Sequence, residues 1–164
     1  MKTLYLVRHA KSSWDDTALD DFDRPLNDRG KKDAPLMGYI LHQQHILPDL
    51  LLSSPAKRAH STAKKIAKAV GYAKKDIQTN KNIYHAGPGQ LLEIIQSLHS
   101  VEHSVMLVGH NPGLTDLSNL LCRKHIDNIP TCGVVCIEFD IEKWNQVMPE
   151  SGRFIFFDYP KKHT

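Results

Sequence analysis

Two arginines and two histidines stand where chemistry is easiest to build. Arg8 and His9 directly follow the short apolar run Leu4–Val7. Arg58 lies early in a helical stretch after a second apolar run, Leu50–Ser53, and Gly109-His110 closes a third, Ser104–Val108. These residue types suit phosphoryl transfer. A guanidinium offers a planar fork that matches two phosphate oxygens and stays charged at any working pH. Two such forks can hold three equatorial oxygens while charge redistributes in the transition state. A neutral imidazole can attack phosphorus and carry the phosphoryl group until water removes it, and a second can donate a hydrogen bond to a phosphoryl oxygen. By type and spacing alone either histidine fits either role. No step requires a metal ion, no phosphatase metal cluster is evident, and no cofactor is expected. A Gly-x-x-x-x-Gly-Lys-Ser/Thr nucleotide loop is also missing. Taken singly, each residue has a plainer reading, as a strand-end cap or a solvated helix position. The functional reading rests on the shared placement.

The elements that must position these residues can be read around them. Apolar runs ending abruptly in polar residues read as buried strands, here at 4–7, 50–53 and 104–108. Residues 11–26 lack periodicity, hold five aspartates and Pro25, and form a loop long enough to suspect a functional role. Asn27 is placed to cap a helix reaching about Gln44, with Ala34, Met37, Ile40 and Leu41 on one face and a kink expected at Pro35. Ser54-Pro55 has the pattern of an N-cap followed by proline at the first helical position, opening a helix that stops at Gly71. One or two short strands fall within 76–84. Gly87-Pro88-Gly89 is a turn before a helix through about Leu98, and Pro112 starts another reaching roughly Cys122. Residues 133–139 and 153–158 read as two strands joined by a polar turn. Alternating strands and helices predict an α/β fold, a three-layer α/β/α sandwich with a mostly parallel central sheet. In such sheets ligand sites lie beyond the carboxyl ends of the strands, which brings Arg8, His9, Arg58 and His110 toward one pocket.

Bulk properties agree. The 164 residues fit one domain spanning 1–164. A net charge of +3 and a pI near 8.7 are too mild for a dedicated nucleic-acid binder. Cys122, Cys132 and Cys136 are odd in number and suggest no disulfide framework, and Cys132-x3-Cys136 reads as small residues in or beside a strand. The first apolar run is far too short for a signal peptide or a membrane span, so a soluble cytoplasmic chain is expected, a monomer or weak dimer with no membrane partner. Of the remaining histidines, His85 stands out because it lies in a loop before a helix. Lys74-Lys75 and Lys161-Lys162 look like solvated charge.

The motif residues resemble the histidine phosphatase superfamily, also called phosphoglycerate-mutase-like. Leu6-Val7-Arg8-His9-Ala10 is similar to its Arg-His-Gly signature, with alanine in third place. Ser53-Ser54-Pro55-Ala56-Lys57-Arg58-Ala59 and Val108-Gly109-His110-Asn111 resemble its second and third motifs. Arg8-His9-Ala10-Lys11-Ser12-Ser13-Trp14, Asp23-Arg24-Pro25-Leu26-Asn27, Asp33-Ala34-Pro35-Leu36-Met37-Gly38 and His110-Asn111-Pro112-Gly113-Leu114 resemble the small SixA-like phosphohistidine phosphatases more narrowly. The resemblance implies a phosphoglycerate-mutase-like fold. It also implies a hydrolase with His9 as nucleophile and Arg8, Arg58 and His110 completing the phosphate pocket.

One departure bears on substrate. Many family members carry a glutamate after the third strand as general acid, whereas Asn82-Ile83-Tyr84-His85-Ala86 has no carboxylate. An ester leaving group lacking a proton donor would suffer by about 10²–10⁴-fold. A phosphoramidate, whose P–N bond weakens once its nitrogen is protonated, tolerates that loss better. His85 or an aspartate of 15–23 remains an alternative donor. The leading expectation is therefore a metal-independent phosphatase acting on phosphohistidine of a phosphorylated protein. A broad phosphatase for small phosphorylated substrates comes second, and a non-catalytic phosphate-binding module third.

Overall fold

A computed structural model describes residues 1–164. Six strands form one sheet in the order β3-β2-β4-β1-β5-β6. They are β1 (Lys2–Arg8), β2 (Leu50–Ser53), β3 (Gln78–Thr79), β4 (Ser104–Gly109), β5 (Val134–Phe139) and β6 (Arg153–Asp158). The first four run parallel, β5 is antiparallel to β1, and β6 is antiparallel to β5. Helices α1 (Asp28–Gln43) and α2 (Lys57–Val70) pack together on one face, and α3 (Pro88–Gln96) and α4 (Gly113–Leu121) on the other. The three-layer α/β/α arrangement is the one the sequence predicts.

Strand alternation divides the core. Leu4 and Leu6 of β1 join Leu91, Leu114 and Leu117 on the α3–α4 side, while Val7 joins Met37, Ala63 and Ile66 on the α1–α2 side. The central strands are apolar on both faces because helices cover both. Asn27 caps α1 as expected, its side chain accepting from the Gly30 N–H at 2.9 Å. The helix runs unbroken through Pro35. At the end of α2, Gly71 takes φ +88°, the left-handed turn that stops a helix at least cost.

Two local expectations are corrected. Ser54 does not cap α2: the helix starts at Lys57 with Ala56 at the N-cap position. Ser54 Oγ instead meets His110 Nε2 at 2.8 Å. The connection between β5 and β6 is not merely polar, because Trp144 is fully buried there and donates from Nε1 to the Glu102 carbonyl at 2.7 Å. Cys132 and Cys136 are buried beside and within β5, as the plain reading held, and no group of three or more His, Cys, Asp or Glu is placed to hold a metal ion. No helix is long and apolar enough to cross a membrane.

Strand register aligns the chemistry-bearing ends of the sheet. Arg8 pairs with Gly109, and Val108 pairs with both Val7 and Ser53. The carboxyl ends of β1, β2 and β4 are therefore level. Backbone bonds continue just past them, from His9 N–H to the Gly109 carbonyl and from Ser54 N–H to the Val108 carbonyl, each 3.0 Å.

Candidate active site

All four residues singled out from the sequence line one cleft of about 550 Å³ at these strand ends. Its lining is rich in charged and imidazole side chains, with Arg8, His9 and Arg58 joined by Arg24, His85 and His110, among others. His9 is only 8% exposed. Its Nδ1 lies 2.7 Å from the Ala10 carbonyl oxygen. A carbonyl only accepts, so Nδ1 carries the proton and Nε2 keeps a free lone pair. Burial pushes the His9 pKa down to about 4, with the positive charges of Arg58, Arg8 and Arg24 adding to the effect against the opposing Ala10 hydrogen bond. The ring is therefore neutral near pH 7.

His110 stands opposite, its ring centroid 5.1 Å from that of His9. The Ser54 hydroxyl that meets its Nε2 also accepts from the Ala56 N–H at 3.2 Å. Burial lowers the His110 pKa to about 3, helped by neighbouring His9 and Arg58. Arg8 Nη1 donates to the Ile129 carbonyl at 2.9 Å. Arg8 Nε, Arg58 Nε and His110 Nδ1 are buried and find no partner within the protein. Unpaired buried polar atoms are rare enough that three in one site mark a place built around something other than its own stability.

Thr62 ties the pieces together. Its hydroxyl donates to the Arg58 carbonyl at 2.8 Å and accepts from the Ala10 N–H at 2.9 Å, locking α2 to the segment that holds His9.

Sequence reasoning missed the residues that organise the mouth. Arg58 Nη2 donates to Asp21 Oδ2 at 2.9 Å, and Tyr84 O–H donates to the same oxygen at 2.6 Å. Arg24 donates to Asp21 Oδ1 from Nε and Nη2, and to Ser12 Oγ from Nη1 at 2.7 Å, and its guanidinium centre lies 3.5 Å from the Trp14 ring centroid. The loop 11–26 is thereby pinned as a wall of the cleft. Burial acts to raise the Asp21 pKa, but the bonds from Tyr84, Arg58 and Arg24 outweigh it and hold the carboxyl well below the usual carboxylate range. Asp21 is thus ionised, which removes it as the proton-donating loop aspartate considered from the sequence. The Tyr84 ring also meets His110 edge-on at 5.5 Å and lies 3.9 Å from His85. His85 lines the cleft with φ at 60°, a left-handed conformation uncommon for a side-chain-bearing residue and worth reading as functional. Asp116, in the first turn of α4, lines the same wall. Arg24 lay inside a motif already noted, but no local pattern signalled Asp21 or Tyr84.

Comparison with known proteins bears on the family and the fold. The family profile described as Histidine phosphatase superfamily (branch 1) matches residues 4–87. An uncharacterised chloroplastic protein of Arabidopsis thaliana is 33% identical over 159 residues, covering 92% of this chain and 72% of that protein. Phosphoserine phosphatase 1 of Hydrogenobacter thermophilus is 42% identical over 71 residues, which is 42% of this chain and 33% of that protein. Among solved structures, SixA from Agrobacterium tumefaciens is 29% identical with a TM-score of 0.79, over 97% of this chain and 98% of that one. The protein histidine phosphatase SixA complexed with tungstate shares the fold at a TM-score of 0.85 and 21% identity, over 99% of both chains.

Proposed function

The chain belongs to the histidine phosphatase superfamily (branch 1) and is a hydrolase, and from that premise we propose that it removes the phosphoryl group from phosphohistidine on a protein through a covalent intermediate on His9. One observation carries the reading. The Nδ1–H of His9 is committed to the Ala10 carbonyl at 2.7 Å, which keeps the Nε2 lone pair free and supports a nucleophilic role in a cleft it shares with Arg8, Arg58 and His110.

The Nε2 lone pair of His9 attacks phosphorus, the P–N bond to the substrate imidazole breaks, and that imidazole leaves with the electron pair. Its distal nitrogen already carries the proton that makes it a competent leaving group. The Ala10 carbonyl stabilises the Nδ1–H of His9 as the ring gains positive character. Arg8 and Arg58 offset charge on the equatorial oxygens, and His110, its ring fixed by Ser54, donates a hydrogen bond to one of them. Water then attacks phosphorus, the His9–P bond breaks, phosphate leaves with the water's proton, and His9 returns neutral.

The test is a quench-trap experiment with labelled substrate. The wild type is expected to yield a base-stable, acid-labile phosphoenzyme and His9→Ala none, with turnover down by more than about 10³-fold. A phosphoenzyme and full activity in His9→Ala would overturn the assignment. A broad small-molecule phosphomonoesterase is the second reading, favoured by the local 42% identity to a phosphoserine phosphatase. It prevails if phosphomonoesters are turned over with clearly higher kcat/KM than a phosphohistidine peptide.

A further inference from the structure

Outside the cleft, the strongest chemical feature is the exposed face of α2. Lys57, Lys64 and Lys68 follow one another at i, i+7 and i+11, so they project along one side of the helix. Lys64, Lys65 and Lys68, with Tyr72 and Lys74, wall a groove of about 400 Å³. None of these lysines forms an ion pair. Their field reaches His60, whose pKa is lowered by burial and then by Lys64 and Lys74. The first turn of α2 contains Lys57 and Arg58 and no acidic residue, the reverse of what the helix dipole favours there. Arg58 is buried in the cleft on the same helix, so the lysine stripe begins one residue from Arg58 and runs about 15 Å along the helix away from it.

We propose that this face of α2 docks an acidic segment of the protein that presents its phosphoryl group to the cleft. The proposal rests on the phosphohistidine-on-protein reading and adds the chemistry of the partner. A protein whose phosphohistidine enters the cleft brings neighbouring surface toward the N-terminus of α2, where Lys57 adjoins Arg58, and the unpaired lysines that continue along this helix are complementary to carboxylates. Charge of this kind raises the encounter rate and selects partners. The face offers one aromatic ring, Tyr72, where single-stranded nucleic acid would call for a row of stacking platforms.

Two fluorescently labelled phosphohistidine peptides test this, one with the phosphohistidine flanked by glutamate runs and one with glutamine in their place. Anisotropy reads binding, and phosphate release reads turnover. At low ionic strength the glutamate peptide is expected to bind about tenfold more tightly, with the advantage in KM and lost in salt. In Lys64→Glu/Lys65→Glu/Lys68→Glu the preference vanishes or reverses, while turnover of free phosphohistidine stays unchanged. Equal binding of the two peptides by the wild type, or a preference that survives the triple substitution, overturns the docking face. So does an oligonucleotide that binds these lysines when the glutamate peptide does not. Binding through the lysines without phosphate release leaves the docking face standing and sinks the phosphohistidine reading. Release from both peptides without a difference in affinity does the opposite.

Discussion

Asp21→Asn strips one charge from the mouth of the cleft and leaves four donors facing a neutral amide. In the native protein Oδ2 accepts from Arg58 Nη2 at 2.9 Å and Tyr84 O–H at 2.6 Å, while Oδ1 accepts from Arg24 Nε at 3.1 Å and Nη2 at 3.0 Å. Asparagine has one oxygen and one NH2. Whichever way the amide turns, one set of donors meets another donor. Breaking a fully buried ion pair costs about 3–5 kcal/mol, and an exposed one about 0–1 kcal/mol. The Arg24 and Arg58 side chains are 8% and 6% exposed but Asp21 is 40% exposed, which places the loss between those limits, at about 2 kcal/mol. For a chain this long that is a fall in Tm of about 4–8 °C. The pH dependence has a definite sign. The folded-state pKa of Asp21 is depressed by Tyr84, Arg58 and Arg24 against the raising effect of burial. Its stabilisation is therefore complete above the unfolded carboxylate pKa near 4 and is lost as pH falls toward the folded value. Wild type and variant should differ by the full amount from about pH 5 upward, and the gap should narrow progressively as pH falls below about 4. Urea unfolding followed by circular dichroism, at neutral pH and at about pH 3.5, reads both. A difference under about 0.5 kcal/mol at neutral pH, or a gap undiminished in acid, would refute the reasoning.

Other expectations rest on single contacts. His9, with its pKa lowered to about 4, stays neutral through the neutral range, so kcat/KM on an aryl phosphate should lose activity only as pH falls through that region; an acid limb centred near pH 6.5 would contradict the burial argument. Ser54→Ala releases the His110 ring from its 2.8 Å partner and should lower kcat about five- to tenfold in steady-state kinetics, the worth of about one hydrogen bond. Thr62→Val preserves shape but leaves the Ala10 N–H and the Arg58 carbonyl without their hydroxyl, and denaturant titration should show a loss of about 1–3 kcal/mol. Gly113→Ala would place a Cβ 2.2 Å from the Ala86 carbonyl oxygen, a backbone atom that cannot step aside. It should cost about 1–3 kcal/mol and, by shifting the Ala86 loop, perturb the amide resonances of His85 and His110.

The strand ends were legible because buried parallel strands are written as short apolar runs, and an Arg-His or Gly-His pair breaking such a run is conspicuous. Arg8, His9 and His110 emerged that way, and Arg58 followed from its place in the next helix. The Asn27 cap and the Gly71 stop were legible because their chemistry is local. Ser54 was misplaced because Ser-Pro before a helix looks like a cap, whereas its hydroxyl partners His110, 56 residues away in sequence. Asp21 and Tyr84 left no such mark, and Arg24 showed only inside the Asp23–Asn27 motif. Their loops have no period, and their positions are set by mutual ion pairs and ring contacts that exist only once β1, α2 and the approach to α3 are assembled. Trp144 escaped for a similar reason: a lone indole among polar residues reveals its burial only when the core it completes is present.

Those late-appearing residues also bear on what can leave His9's target. Near neutral pH both cleft histidines are uncharged, His9 with its pKa lowered to about 4 and His110 to about 3, and Asp21 is held ionised by the arginines and Tyr84. None of the three has a proton poised for an alkoxide. Burial is the larger cause of the low imidazole pKa values, and the buried guanidinium groups add to it while favouring the carboxylate. The same cations that would hold a phosphoryl group therefore add to what burial does in suppressing the acids that an ordinary ester would need. His85, whose side chain makes no hydrogen bond, and Asp116 line the same cleft wall. A phosphoimidazole sidesteps the conflict by bringing its own proton on the nitrogen away from phosphorus. On the proposed assignment, the preference for P–N over P–O bonds is a consequence of how deeply His9 and His110 are buried and of the positive charge that Arg8, Arg24 and Arg58 add around His9.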